Sequence, residues 1–148
     1  MLVNPGDNVL TGTVQFFDQL GQTAAVNVSG QTNSSFLYSI APRSATKLQT
    51  AGTGTGGTVG SVRVGPAAGT NAPSGLAIFS FRNQEATVAE AGVPAISVAS
   101  TFRLYAEASG DFNRGASGSI QTGIAVTNTA AAPATVTMEI FNLDGARD

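Results

Sequence analysis

The chain has few residues that could carry out acid–base or nucleophilic chemistry. Its 148 residues include no His and no Cys, which removes imidazole catalysis, histidine-dependent serine triads, thiol nucleophiles and ordinary zinc sites. A Ser–Lys dyad would require Lys47, the single lysine of the chain. Residues 45–50 alternate as a strand does, so we expect Lys47 to be a solvated strand lysine.

Two carboxylates, Glu90 and Glu107, lie within predicted strands and could in principle form the acid pair of a glycosidase. Glu107 alternates with Arg103 and Tyr105 on the polar face of its strand, which favours an exposed or Arg-paired role. Glu90 has apolar neighbours, and if buried it would need a cationic partner such as Arg82 or Arg103. We therefore predict that the chain is not an enzyme and binds no cofactor.

One loop, residues 109–118, resembles a cation-binding loop because Asp111 and Asn113 stand two apart. It contains a single carboxylate, whereas calcium requires several more oxygen ligands. A hairpin tip is the preferred interpretation, and no metal site is predicted beyond this calcium candidate. Residues 52–57 are rich in Gly but lack the Lys and helix of a phosphate-binding loop, which favours a linker.

A carbohydrate site would require exposed aromatic rings. The chain has no Trp, two Tyr and eight Phe, and Tyr38 shares a strand face with core-type neighbours. Tyr105 and Phe17 are the rings expected at the surface. If the chain binds a polysaccharide, the predicted ligand-binding residues are Tyr105, Phe17, Arg103 and Glu107.

Composition restricts the partners. The net charge is −2, the pI is about 4.9 and only 11% of the residues are charged, so the chain lacks the clustered cations that nucleic acids require. No apolar run approaches the length of a membrane span. The abundant Thr, Ser, Asn, Gln and Gly are typical of secreted β-proteins, which predicts an extracellular or cell-surface location, with any export signal outside this sequence.

Period-two alternation dominates the chain and helical periodicity is absent. In the first long run, Leu10, Gly12, Val14 and Phe16 form one face, which we expect to meet a core. Ten short strands are predicted: 9–17, 23–29, 35–40, 45–50, 58–65, 75–82, 86–93, 101–108, 120–127 and 134–142.

Clusters of Gly, Pro, Asn and Asp separate these runs, and no helix-length segment stands between them. Such spacing favours antiparallel strands in two packed sheets. We predict an all-β, immunoglobulin-like sandwich of about ten strands, with a closed barrel as the alternative.

Two segments of the chain are similar. Residues 4–21 align without a gap on residues 128–145, and an Asn, two Thr, a Phe and a Gly coincide. The alignment predicts one repeat module at residues 1–127 and the first strand of a following repeat at residues 128–148. We expect that strand to pair onto the same sandwich or onto another molecule.

The same stretches carry a resemblance to a family. Asn-Pro-Gly-Asp-Asn at residues 4–8 with the strand after it, together with residues 75–82, 89–94 and 122–128, resembles the β-sandwich repeats of large secreted proteins from soil bacteria such as Acidobacteria. The resemblance implies an exported tandem module and supplies no catalytic residue. The expected function is a non-catalytic extracellular spacer, stalk, adhesin or surface-layer repeat, whose partners are neighbouring repeats or other copies. A carbohydrate-binding accessory module is the alternative.

Overall fold

A computed structural model describes residues 1–52, 59–83, 86–111 and 119–147, without the side chains of residues 81–89. These residues form eleven strands in antiparallel sheets and no helix, as the alternation predicted. None of the sheets closes on itself within the described ranges, and the arrangement is compatible with a sandwich of about ten strands. The chain divides into two compact units, Met1–Ser97 and Val98–Asp148.

The first sheet of the Met1–Ser97 unit has β2 (Leu10–Asp18) at its centre, between β5 (Ser35–Ile40) and β7 (Gly60–Pro66). Both neighbours are antiparallel to β2. Leu10 faces Ile40 and Gly12 faces Tyr38 across the β5 ladder. Central placement gives β2 hydrogen-bonding partners on both edges.

The second sheet of this unit has the order β6, β1, β8, β9, in which β1 is Leu2–Val3 and β6 is Ala45–Thr46. Its long hairpin consists of β8 (Ser74–Asn83) and β9 (Ala86–Pro94), with a register shift between Phe81 and Arg82. A separate hairpin is formed by β3 (Val26–Val28) and β4 (Gln31–Asn33). The sequence predicted a turn where β4 lies.

The core of this unit joins residues from both sheets. Leu2 of β1 packs with Leu10 and Val14 of β2 and with Tyr38 and Ile40 of β5. Three half-buried apolar side chains pack against this cluster: Phe16, Leu48 and Val64. Burying a side chain of this size contributes about 1.5–3 kcal/mol to the stability of the fold. Because Leu10, Val14 and Phe16 all belong to or pack against this cluster, the predicted inward face of β2 is confirmed.

The Val98–Asp148 unit has few ladders. Its strands are β10 (Ala108–Ser109) and β11 (Ile120–Gln121), which pair with each other, and a bridge joins Phe141 to Arg147. Strands predicted at 101–108 and 120–127 are thus reduced to short pairs, and residues 134–140 lie outside any strand in the described structure. No helix in the described residues could span a membrane.

Candidate functional site

Three of the predicted ligand-binding residues belong to the second unit: Arg103, Tyr105 and Glu107. Tyr105 is 70% exposed, and its hydroxyl donates to Oε2 of Glu107 at 3.3 Å. The Glu107 backbone N–H donates to Oγ1 of Thr122 at 2.9 Å, a bond that ties Glu107 to the segment around β11. Arg103 is also exposed. Tyr105 and Glu107 are therefore in contact at the surface, where they present an aromatic ring beside a carboxylate.

Phe17 belongs to the first unit and is not a free ring. The Arg63 guanidinium carbon lies 5.3 Å from the centre of the Phe17 ring, a cation–π geometry. Phe17 is half-buried, so the expectation that it is a surface ring holds only for part of its area.

The carboxylates have surface environments. Glu90 is exposed and accepts a hydrogen bond from the Ser80 hydroxyl at 2.7 Å across the β8–β9 ladder. Because it is not buried, Glu90 does not require a cationic partner. Lys47 is exposed, as expected. The described residues contain no cluster of three or more Asp, Glu, His or Cys. Asp111 is exposed, whereas Asn113 and most of residues 52–57 lie outside the described residues.

An open groove of about 690 Å³ lies at the ends of β2, β5 and β7 and is lined by Thr11, Thr13, Leu37, Ser39 and Pro66 among others. Tyr38 also lines it, yet its hydroxyl is buried with no hydrogen-bond partner in the described structure. Burial raises the pKa of the Tyr38 hydroxyl above its ordinary value. The groove carries no charged side chain, so it offers a ligand little beyond hydroxyl and apolar contacts.

The Asn4 side chain is a buried polar group with four hydrogen bonds to the backbone. Asn4 is 1% exposed. Its Nδ2 donates to the backbone oxygens of Asn8, Ile40 and Ala41 at 2.7, 3.1 and 2.9 Å, and its Oδ1 accepts the Gly6 N–H at 3.0 Å. Asn4 thus ties the entry to β2 to the end of β5.

The same local bracket recurs at Asn128. Its Nδ2 donates to the Ala132 oxygen at 2.7 Å, and its Oδ1 accepts the Ala130 N–H at 3.0 Å. The spacings within the bracket, to the second and fourth following residue, are those found at Asn4. Asn128 is exposed, because the described structure places no equivalent of the β5 carbonyls beside it.

The correspondence continues to the far end of both segments. Asp18 N–H donates to the Gln22 oxygen at 2.8 Å and Gly21 N–H to the Asp18 oxygen at 3.2 Å. Asn142 N–H donates to the Ala146 oxygen at 2.8 Å and Gly145 N–H to the Asn142 oxygen at 2.9 Å. Both glycines have positive φ, 75° and 86°, a conformation that glycine adopts without strain.

The bridges of the two segments also coincide. Phe17 bridges Thr23, and Phe141 bridges Arg147. We call residues 4–23 the first arm and residues 128–147 the second arm. In each matched pair of contacts, the residues of the second arm follow those of the first arm by the same number of positions as in the sequence alignment. Two segments with five coinciding residues therefore have the same Asn bracket and the same glycine turn.

No family model, curated protein or solved structure matches the chain. Its function must therefore be inferred from its own geometry.

The two arms differ in what covers them. In the first arm, Leu10 and Val14 are buried beneath β5 and β1 residues. In the second arm, the residues at the matching inward positions, Val136, Met138 and Ile140, are all more than half exposed. A salt bridge between Arg147 and Glu139, with a nitrogen-to-oxygen distance of 3.0 Å, links residues on either side of the Asn142–Ala146 turn in the second arm.

Sequence reasoning aligned the arms but missed the role of the asparagines. The available signal was the Asn that heads both aligned segments, followed by turn-forming residues. An Asn side chain commonly bonds backbone groups a few residues on, and this feature would have predicted the local bracket. The bonds from Asn4 to Ile40 and Ala41 depend on tertiary structure and could not have been found from spacing.

Proposed function

We propose that this chain is a non-catalytic structural repeat of a larger secreted bacterial protein, acting as a spacer, stalk, adhesin or surface-layer component. The observation that carries the proposal is the matched hydrogen bonding of the first arm (residues 4–23) and the second arm (residues 128–147). A tandem repeat accounts for a chain that folds the same entry segment twice.

Two further features support an extracellular role. The charged fraction of 11% is low compared with about 25% in average soluble domains, and the outward face of β2 presents Thr11, Thr13 and Gln15. The family resemblance described above agrees with an exported module.

A non-catalytic role is supported by the environments of the candidate acids. Glu90 bonds a serine hydroxyl, Glu107 bonds a tyrosine hydroxyl, and both are exposed. Neither lies in a water-excluded site that would tune it as a catalytic acid or base.

Tandem unfolding tests the proposal. Residues 1–127 joined directly to residues 4–147 place Asn4 of the second module where Asn128 stands in the native chain. In repeat proteins, neighbouring modules stabilise one another through their interface. We expect this tandem to unfold at a higher urea midpoint than the native chain.

The control joins two complete chains through a long Gly/Ser linker, which keeps both modules but not their junction. It should unfold at the midpoint of the single chain. If the direct tandem unfolds at that same midpoint, the modules are independent and the proposed structural coupling is absent.

A carbohydrate-binding module is the second candidate, favoured by the exposed Tyr105 ring and its contact with Glu107. Under this alternative, Tyr105→Ala abolishes retention of the chain on insoluble polysaccharides, while Phe17→Leu has a smaller effect. Retention that is unchanged by Tyr105→Ala, or no retention of the native chain, contradicts it.

A further inference from the structure

We propose that residues 134–142 of the second arm form a docking strand for one strand of another β-sandwich repeat. The incoming strand runs antiparallel in the register that β5 has on β2, and it carries a small or β-branched residue opposite Val136. The inference rests on the proposed repeat function and names the partner that the second arm takes.

The first arm defines how such a strand docks. β5 pairs with β2 from Leu10↔Ile40 to Gln15↔Ser35, and this pairing buries Leu10 and Val14. In the aligned second arm, Ala134 and Met138 occupy these two positions. When residues 134–142 extend as a strand, Val136, Met138 and Ile140 share one apolar face. The described structure leaves all three side chains exposed.

Asn128 supplies a second element of the docking site. Asn4 Nδ2 reaches Asn8 within its own arm, and Ile40 and Ala41 at the end of β5. Asn128 makes the corresponding bond within its own arm, to Ala132, and its side chain is exposed. An amide has two N–H donors, of which one bonds Ala132, so the other can donate to a terminal carbonyl of an incoming strand.

The size of Val136 determines which strand fits. In the first arm this position is Gly12, and a Cβ placed there would collide with the Gly65 carbonyl oxygen and would lie 2.5 Å from the Tyr38 hydroxyl oxygen. Tyr38 therefore covers a residue that must be glycine. A strand with tyrosine at this position collides with Val136, which excludes an unaltered β5 of a second copy as the partner.

Peptide binding to the full-length chain tests the inference. The probes are a peptide with the sequence of residues 34–44 and the same peptide with Tyr38→Val, which removes the ring and keeps strand propensity. Each is titrated into the ¹⁵N-labelled native chain and into its Val136→Gly variant, which recreates the glycine of the first arm.

We expect the Tyr38→Val peptide to bind the native chain at least about tenfold more tightly than the tyrosine peptide, because overpacking is relieved. Amide signals of residues 134–142 and of the Asn128 side chain should shift. The preference should reverse on Val136→Gly.

Any of three results with these peptides would overturn the inference, in addition to tighter binding of the tyrosine peptide to the native chain: no binding of either peptide at millimolar concentration, the same preference on both chains, or shifts confined to residues 1–97. Tighter binding of the tyrosine peptide to the native chain would instead indicate strand exchange between copies, and it also overturns the inference. The tandem-unfolding experiment uses the native Gly12–Tyr38 pair, so its result stands whatever these peptides do.

Discussion

Tyr38 of β5 lies directly across the ladder from Gly12 of β2, and its ring occupies the space that a side chain at Gly12 would need. The tyrosine is 5% exposed and belongs to the core cluster. Glycine in a strand loses packing and conformational entropy, and the facing ring restores the packing. The glycine in β2 thus makes room for the Tyr38 ring in the core.

Gly12→Ala should destabilise the first unit by about 1–3 kcal/mol, because the new methyl group would meet the Gly65 carbonyl oxygen and the Tyr38 ring. Urea unfolding measures the change. The matched control is Gly123→Ala, where nothing lies within 4 Å of the added methyl group and the change should stay within about 0.5 kcal/mol. Equal effects of the two substitutions would mean that Gly12 is not crowded.

Tyr38→Phe should leave stability unchanged or raise it by up to about 1 kcal/mol. The hydroxyl is buried without a partner in the described structure, so its removal ends a desolvation cost without breaking a bond. Tyr38→Ala, by contrast, should cost about 3–5 kcal/mol through loss of the ring. A large loss in Tyr38→Phe would reveal a hydrogen bond to that hydroxyl.

The same hydroxyl predicts alkaline sensitivity. Burial raises the folded pKa of Tyr38 above 10.0, so above that pH the unfolded chain loses the proton first. The contribution of Tyr38 to stability is complete below pH 10.0 and is lost as the pH rises through its folded pKa. Unfolding free energies measured from about pH 8 to pH 11 should fall more steeply for the native chain than for Tyr38→Phe. Parallel curves would contradict the prediction.

The two asparagines should respond differently to the same substitution. Asn4→Ala removes the hydrogen bond that the Asn4 amide donates to the buried Ile40 carbonyl, at a cost of about 1–3 kcal/mol. Asn128→Ala removes an exposed local bracket and should cost no more than about 0.5 kcal/mol. Urea unfolding of both variants measures the difference. If Asn4→Ala lowers the free energy of unfolding no more than Asn128→Ala does, the bracket does not hold β2 in place.

Local alternation predicted the parts of the fold that local sequence determines. Because side chains alternate along a strand, the sequence places Leu10 and Val14 on the core side of β2, where both are buried. The predicted strand at residues 35–40 has the observed bounds. The Leu2–Val3 strand is too short to show a period. The Gln31–Asn33 strand is not predicted, because the residues around it are of the types that favour turns.

The pairing of a strand into a sheet depends on residues far away in the chain, whereas its extended conformation depends on local sequence. Residues 134–142 have strand composition, but no partner strand is present for residues 134–140 in the described structure, and hence no ladder forms there. Isolated strands and two-stranded ribbons are marginal in water without a covering layer. The predicted site residues divide in the same way: Tyr105 and Glu107 lie two residues apart in the chain, whereas the contact of Phe17 with Arg63 depends on the β2–β7 ladder.

The equivalence of the two arms is tested most directly by supplying the second arm with the strands that the first arm has. The native chain is extended after residue 147 by a copy of residues 24–97, with Tyr38→Val in the appended copy to accommodate Val136. In this chain Asn128→Ala should destabilise the appended module by as much as Asn4→Ala destabilises the first. If Asn128→Ala remains without effect in the extended chain, the second arm is not the entry segment of a repeat.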